Sequence, residues 1–106
     1  MRILKKKTLQ DFWQLPGRQD SQQALTDWFN RITDENQDFK SFNQLKSTFA
    51  SSDYIGNNRV VFNIKGNAYR LIVEFHLPTQ RGYIVFIGTH AEYNLIDAIT
   101  IDMEYP

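Results

Sequence analysis

The chain has no cysteine among its 106 residues. That excludes disulfides, thiolate nucleophiles and cysteine-based zinc sites, and it suits a reducing cytosol. No apolar run approaches the roughly 20 residues that a membrane span needs. Lys5-Lys6-Lys7 leads into no apolar stretch, so no secretory signal is expected and the chain reads as a small cytoplasmic protein. Net charge is missing too: 12 basic residues balance 12 acidic ones, which removes any general electrostatic case for nucleic acid. His76 and His90 are the only histidines, and no HExxH or clustered His/Asp spacing occurs, so no metal site is expected. No cofactor is expected either. Gly56 and Gly66 stand singly in turns rather than in a phosphate-cradling loop, and there is no Gly-x-Ser-x-Gly elbow.

What the chain does have is rings. Eight Phe, five Tyr and two Trp point to an aromatic core within one domain spanning residues 1–106. Its charge is unevenly spread. Arg59, Lys65, Arg70 and Arg81 face only Glu74 across the middle, whereas Glu92, Asp97, Asp102 and Glu104 leave the end without a basic residue. A confined phosphate-binding patch fits this distribution, as does an ordinary mixed surface.

The first half carries helical periodicity. Leu9, Phe12, Trp13 and Leu15 recur before Pro16-Gly17; Leu25, Trp28, Phe29 and Ile32 follow Ser21 as a plausible N-cap. Asp38 or Ser41 opens a shorter helix through Phe42, Leu45 and Phe49. After the turn signal Gly56-Asn57-Asn58, strand character takes over. Arg59–Ile64 and Ala68–His76 flank Gly66-Asn67 as a hairpin, and Tyr83–Gly88 makes a third strand beyond Pro78 and Gly82. A helix from His90 to about Ala98 and a brief edge strand at Ile99–Ile101 complete the pattern. The fold class is α+β: N-terminal helices packed on one face of a small antiparallel sheet, with a short C-terminal helix.

Chemistry concentrates where the third strand runs into Thr89-His90-Ala91-Glu92-Tyr93. Thr89 and Glu92 have the Thr-x-x-Glu spacing of a capping box. This places His90 in the first turn beside the phenol of Tyr93. Strand alternation sends Tyr69, Leu71, Val73 and Phe75 toward the helices, and Arg70, Ile72, Glu74 and His76 the other way. In a meander the end of the third strand lies near the start of the second, bringing His90 and Tyr93 within reach of Arg70. An arginine, an imidazole and a phenol suit cleavage of RNA by its own 2′-hydroxyl, a reaction that needs a base, an acid and a cation. A capped helix with a surface histidine, and a solvated arginine on an open sheet face, account for the same residues without catalysis.

The run Val61-Phe62-Asn63-Ile64-Lys65-Gly66-Asn67-Ala68-Tyr69-Arg70-Leu71-Ile72, followed by Tyr83-Ile84-Val85-Phe86-Ile87-Gly88-Thr89-His90-Ala91-Glu92-Tyr93, resembles the HigB toxins of the RelE-like superfamily. The resemblance is strong from about Asp53 to Ala98. It implies a ribosome-dependent mRNA endonuclease (an mRNA interferase) neutralised by a HigA-type helix-turn-helix antitoxin. DNA would be met only through that antitoxin, and the membrane not at all. By position it implies Arg70, His90 and Tyr93 as catalytic residues, with Lys65, Asn63, Arg59 and Arg81 expected to meet RNA. The chain departs from the family pattern at Asn94, where members commonly have aspartate. It also departs at Val85, where many have a cation, and at Lys65, where glycine is frequent. The competing readings are a non-catalytic binding protein of the same fold, acting as antitoxin-bound co-repressor or ribosome binder, and a nuclease of free RNA.

Overall fold

Leu25, Trp28 and Ile32 lie on one side of an eleven-residue helix, and the sheet is built against that stripe. The computed structural model describes residues 1–103; Glu104 of the acidic end lies outside the described residues. In chain order the elements are β1 (Arg2–Leu4), α1 (Lys6–Trp13), α2 (Gln22–Ile32), α3 (Phe42–Thr48), β2 (Ser52–Gly56), β3 (Arg59–Ile64), β4 (Tyr69–His76), β5 (Arg81–Thr89) and α4 (His90–Tyr93).

The five strands form one sheet in the order β1-β5-β4-β3-β2. The pairs β5–β4, β4–β3 and β3–β2 are antiparallel, but β1 runs parallel to β5 with Ile3 opposite Gly82. The expected antiparallel sheet is therefore mixed. A strand opens the chain, so the helices do not all come first. Gly82 leaves room for the side chains packed over it, because a Cβ there would stand 2.9 Å from Ile3 Cδ1 and 3.1 Å from Val73 Cγ1.

The α1–α3 side holds the main core. Leu9, Phe12, Leu25, Trp28, Ile32 and Leu45 meet Phe62, Leu71, Val73, Phe75, Ile84 and Ile87, as the alternation of β4 anticipates. Phe62 packs edge-on against Trp28, Phe49 and Phe75. Each such side chain contributes about 1.5–3 kcal/mol by burial, and edge-to-face ring pairs add to it.

The other face is not open. Val61, Ile72, Val85 and Phe86 form a second core beneath Tyr93, Ile96, Ala98, Ile101 and Met103. Val85 and Phe86 share this face because β5 bulges opposite Ile72/Val73. Residues 99–101 form a strap rather than an edge strand. The Asn57 amide donates to Ile99 O at 2.9 Å, and Met103 N–H donates to Val85 O at 2.8 Å. The α4 helix ends at Tyr93, well short of Ala98, and turns lead from it into the strap.

Candidate active site

Arg70 stands on β4 directly between Asn63 of β3 and Gly88 of β5. Directly opposed residues project to the same face, so this end of the sheet carries one long cationic side chain between two short neighbours. The chain is tightly packed around Gly88. A Cβ there would meet Phe86 Cζ at 2.6 Å and Glu92 Cβ and Oε1 at 3.2 Å, so a larger residue would displace the Phe86 ring and press on the first turn of α4. The Arg70 guanidinium lies 5.3 Å over the Tyr93 ring, which itself packs against Phe86. Its Nε is buried without a hydrogen-bond partner, as is Asn63 Oδ1. Among the described residues Arg70 forms no ion pair.

The capping box read from the sequence is complete. Thr89 Oγ1 accepts from Glu92 N–H at 3.1 Å, and Glu92 Oε1 accepts from Thr89 N–H at 2.8 Å. It starts α4 within two residues of the position opposite Arg70. His90 is exposed, and its Nδ1 lies 3.2 Å from Asn94 Nδ2. The side-chain contact of His90 is thus with Asn94, while Tyr93, on the same turn, touches Arg70. Among the described residues, no group of three or more His, Asp or Glu is placed to hold a metal ion.

Lys65 follows β3 in the hairpin turn, in a left-handed conformation (φ 52°) that favours glycine. Its Nζ pairs with Asp20 Oδ2 at 2.7 Å, and the Tyr69 hydroxyl donates to Asp20 Oδ1. Hydrogen bonds from Lys65 and then Tyr69 hold the Asp20 carboxyl below its ordinary value of 3.8. The same carboxylate, followed by burial, raises the Tyr69 phenol above 10.0.

Arg59 and Arg81 do not join this group. Arg59 is 5% exposed; it pairs with Glu74 at 3.1 Å and donates to Ala98 O at 3.0 Å and Ile101 O at 2.6 Å. It holds the strap instead of facing solvent. Arg81 begins β5, opposite His76, and the length of the strand separates it from Gly88 by roughly 23 Å. The strap encloses Arg59, and the register of β5 sets Arg81 at the end of the strand away from Arg70. A residue that the sequence patterns did not single out does reach α4: Arg18 Nη2 lies 3.5 Å from Glu92 Oε1. Pro16-Gly17 signalled only the end of α1, and nothing local shows that the next residue meets α4.

No curated protein matches the chain significantly. A family model does, over residues 21–96, described as HigB_toxin, RelE-like toxic component of a toxin-antitoxin system. The match takes in Lys65, Arg70, His90 and Tyr93 together with the helices and strands that place them. Spanning most of its length, it makes this chain a member of the HigB toxin family, the toxic half of a toxin–antitoxin pair whose other half is an antitoxin.

Proposed function

We propose that this toxin is an endoribonuclease that cuts mRNA in the ribosome and so blocks translation in the cytoplasm. Arg70, His90 and Tyr93 surround the scissile phosphate. Asn63 and Lys65 flank it, and a HigA-type antitoxin neutralises the protein and supplies any contact with DNA. The observation that carries the reading is Arg70, a half-buried guanidinium without an acidic partner among the described residues, stacked on a phenol beside a histidine-bearing turn. A planar fork with unused donors matches a phosphate's paired oxygens.

In the reaction the ribose 2′-oxygen attacks the adjacent phosphorus and loses its proton. The bond from phosphorus to the 5′-oxygen breaks, and that oxygen takes up a proton. The products are a 2′,3′-cyclic phosphate and a 5′-hydroxyl. Arg70 offsets the charge that builds on the phosphoryl oxygens. His90 is exposed where it can move a proton, and Tyr93 fixes the guanidinium plane while offering a face for base stacking. Balanced net charge fits a protein to which the ribosome presents RNA better than one that captures free RNA. Expression without antitoxin should arrest growth and create new mRNA 5′ ends within translated codons. Arg70→Ala should relieve the arrest, and unchanged toxicity would remove Arg70 from the mechanism.

One observation favours a second reading. Asn94 places an amide at His90 Nδ1 where the family pattern has a carboxylate, which weakens the support for a charged imidazole. Arrest without new 5′ ends would identify a non-catalytic ribosome binder.

A further inference from the structure

We propose that Arg18 forms a second phosphate subsite, gripping the RNA backbone next to the scissile phosphate, with Glu92 occupying its guanidinium until RNA arrives. The inference rests on the ribonuclease function proposed for Arg70 and adds a residue from outside the strands and helix that carry it.

The geometry runs through α4. Glu92 and Tyr93 are consecutive, and each meets a different arginine: Arg18 at Glu92 Oε1, Arg70 at the Tyr93 ring. The same Oε1 sits 3.2 Å from where a Cβ on Gly88 would project, on the face shared with Arg70. Cβ atoms of directly opposed residues lie about 5 Å apart. Through Glu92, Arg18 therefore reaches the rim of the Arg70 site.

Arg18 is also poorly held where it is. Its contact with Glu92 is long at 3.5 Å, and its Nε is buried without a hydrogen-bond partner. Its side chain remains 29% exposed. Its guanidinium carbon lies 5.9 Å from the centre of the Phe12 ring, so an aromatic face borders the fork. The backbone beneath it is firmly set: Arg18 O accepts from Ser21 Oγ at 2.7 Å and from Ser21 N–H at 3.0 Å. A guanidinium with a hydrogen-bonded backbone beneath it, a ring beside it and an incomplete set of partners suits a bidentate anion. Glu92 does not depend on Arg18, because its capping-box bond to the Thr89 N–H at 2.8 Å is the shorter one. Phosphate can displace the carboxylate from Arg18 without undoing α4.

The two partners of this ion pair then have opposite effects on RNA binding, which a merely structural pair would not show. The test measures binding of full-length toxin to ribosomes programmed with mRNA whose vacant A-site codon carries 2′-O-methyl groups, so that nothing is cut. Arg18→Gln keeps the stem over Phe12 and should weaken binding about tenfold while reducing the log–log salt slope by about 0.7, one phosphate contact on a single strand. Glu92→Gln preserves the capping box, since glutamine serves in it, and should tighten binding several-fold by releasing Arg18. Melting curves of both variants confirm folding. If both substitutions shift affinity in the same direction, the pair is structural and the subsite is overturned. Binding that is lost in Arg70→Ala but indifferent to Arg18→Gln overturns this inference alone. Absence of wild-type binding overturns the ribosomal reading beneath it and this inference with it.

Discussion

Arg59 and Arg70 lie on one face of the same sheet, four register steps apart, and are held in opposite ways. Arg59 faces Glu74 across the strands and takes two strap carbonyls, so all its charge is spent inside the molecule. Arg70 faces Asn63 and Gly88, neither of which can neutralise it, and leans on a ring. The strap covers the sheet around Val61, Ile72, Val85 and Phe86, on the Arg59 side of the site. A guanidinium's role here is set by its cross-strand neighbours and by what covers it, since residue type and strand face are the same for both.

The sharpest way to break that comparison is to truncate each arginine and measure both stability and cleavage. Arg70→Ala should cost at least about a hundredfold in mRNA cleavage, the scale of losing one preorganised charge stabiliser. Its urea midpoint should stay near wild type. Arg59→Ala should do the reverse. It should lose about 2 kcal/mol in equilibrium unfolding, less than a fully buried pair because Glu74 is 39% exposed. The fraction that remains folded should still cut. A large stability loss at Arg70, or a catalytic loss at Arg59 beyond its unfolding, would collapse the distinction.

Asn94→Asp sharpens the Arg70 side. An aspartate at that position would accept from His90 Nδ1–H and, if His90 takes up the proton in the proposed reaction, support the imidazolium so formed. Single-turnover cleavage should rise roughly tenfold. No change would detach His90 from proton transfer.

The smallest effect concerns the third cation of this region, Lys65, whose partner Asp20 ties the hairpin turn to the loop after α1. A depressed carboxyl contributes stability above its unfolded value of 3.8 that is lost as pH falls through the folded one. Tyr69 works in the other direction: its raised value contributes stability below 10.0 that is lost as pH climbs past it. Melting temperature against pH should therefore show shallow declines at both limits, and Asp20→Asn should flatten both. A profile identical to wild type would show that the contact adds nothing in solution.

Much of the helical layer was readable because a single period reports it. Leu25, Trp28 and Ile32 are spaced for one face wherever that face is buried. The hairpin of β3 and β4 and the Thr89–Glu92 box are likewise local, with partners a few residues apart. β2 was not readable, since Ser52–Gly56 carries little strand signal of its own and is held by β3. Among the site residues, the convergence of Arg70 with Tyr93 followed from alternation plus meander topology. The burial of Arg59 and the arrival of Arg18 had no local mark.

By itself the sequence determined which stretches coil, which extend, which strand faces are apolar, and that one histidine-bearing turn comes after the last long strand. Those are properties of neighbouring residues, governed by backbone sterics, capping bonds and side-chain period. Only the tertiary structure decided that three residues at the start of the chain pair in parallel with β5. It also decided that the C-terminal strap closes the second face, and which arginines are spent and which stay available. Those outcomes depend on contacts between distant segments, where the energy lies in burying surface and neutralising charge that no local pattern records.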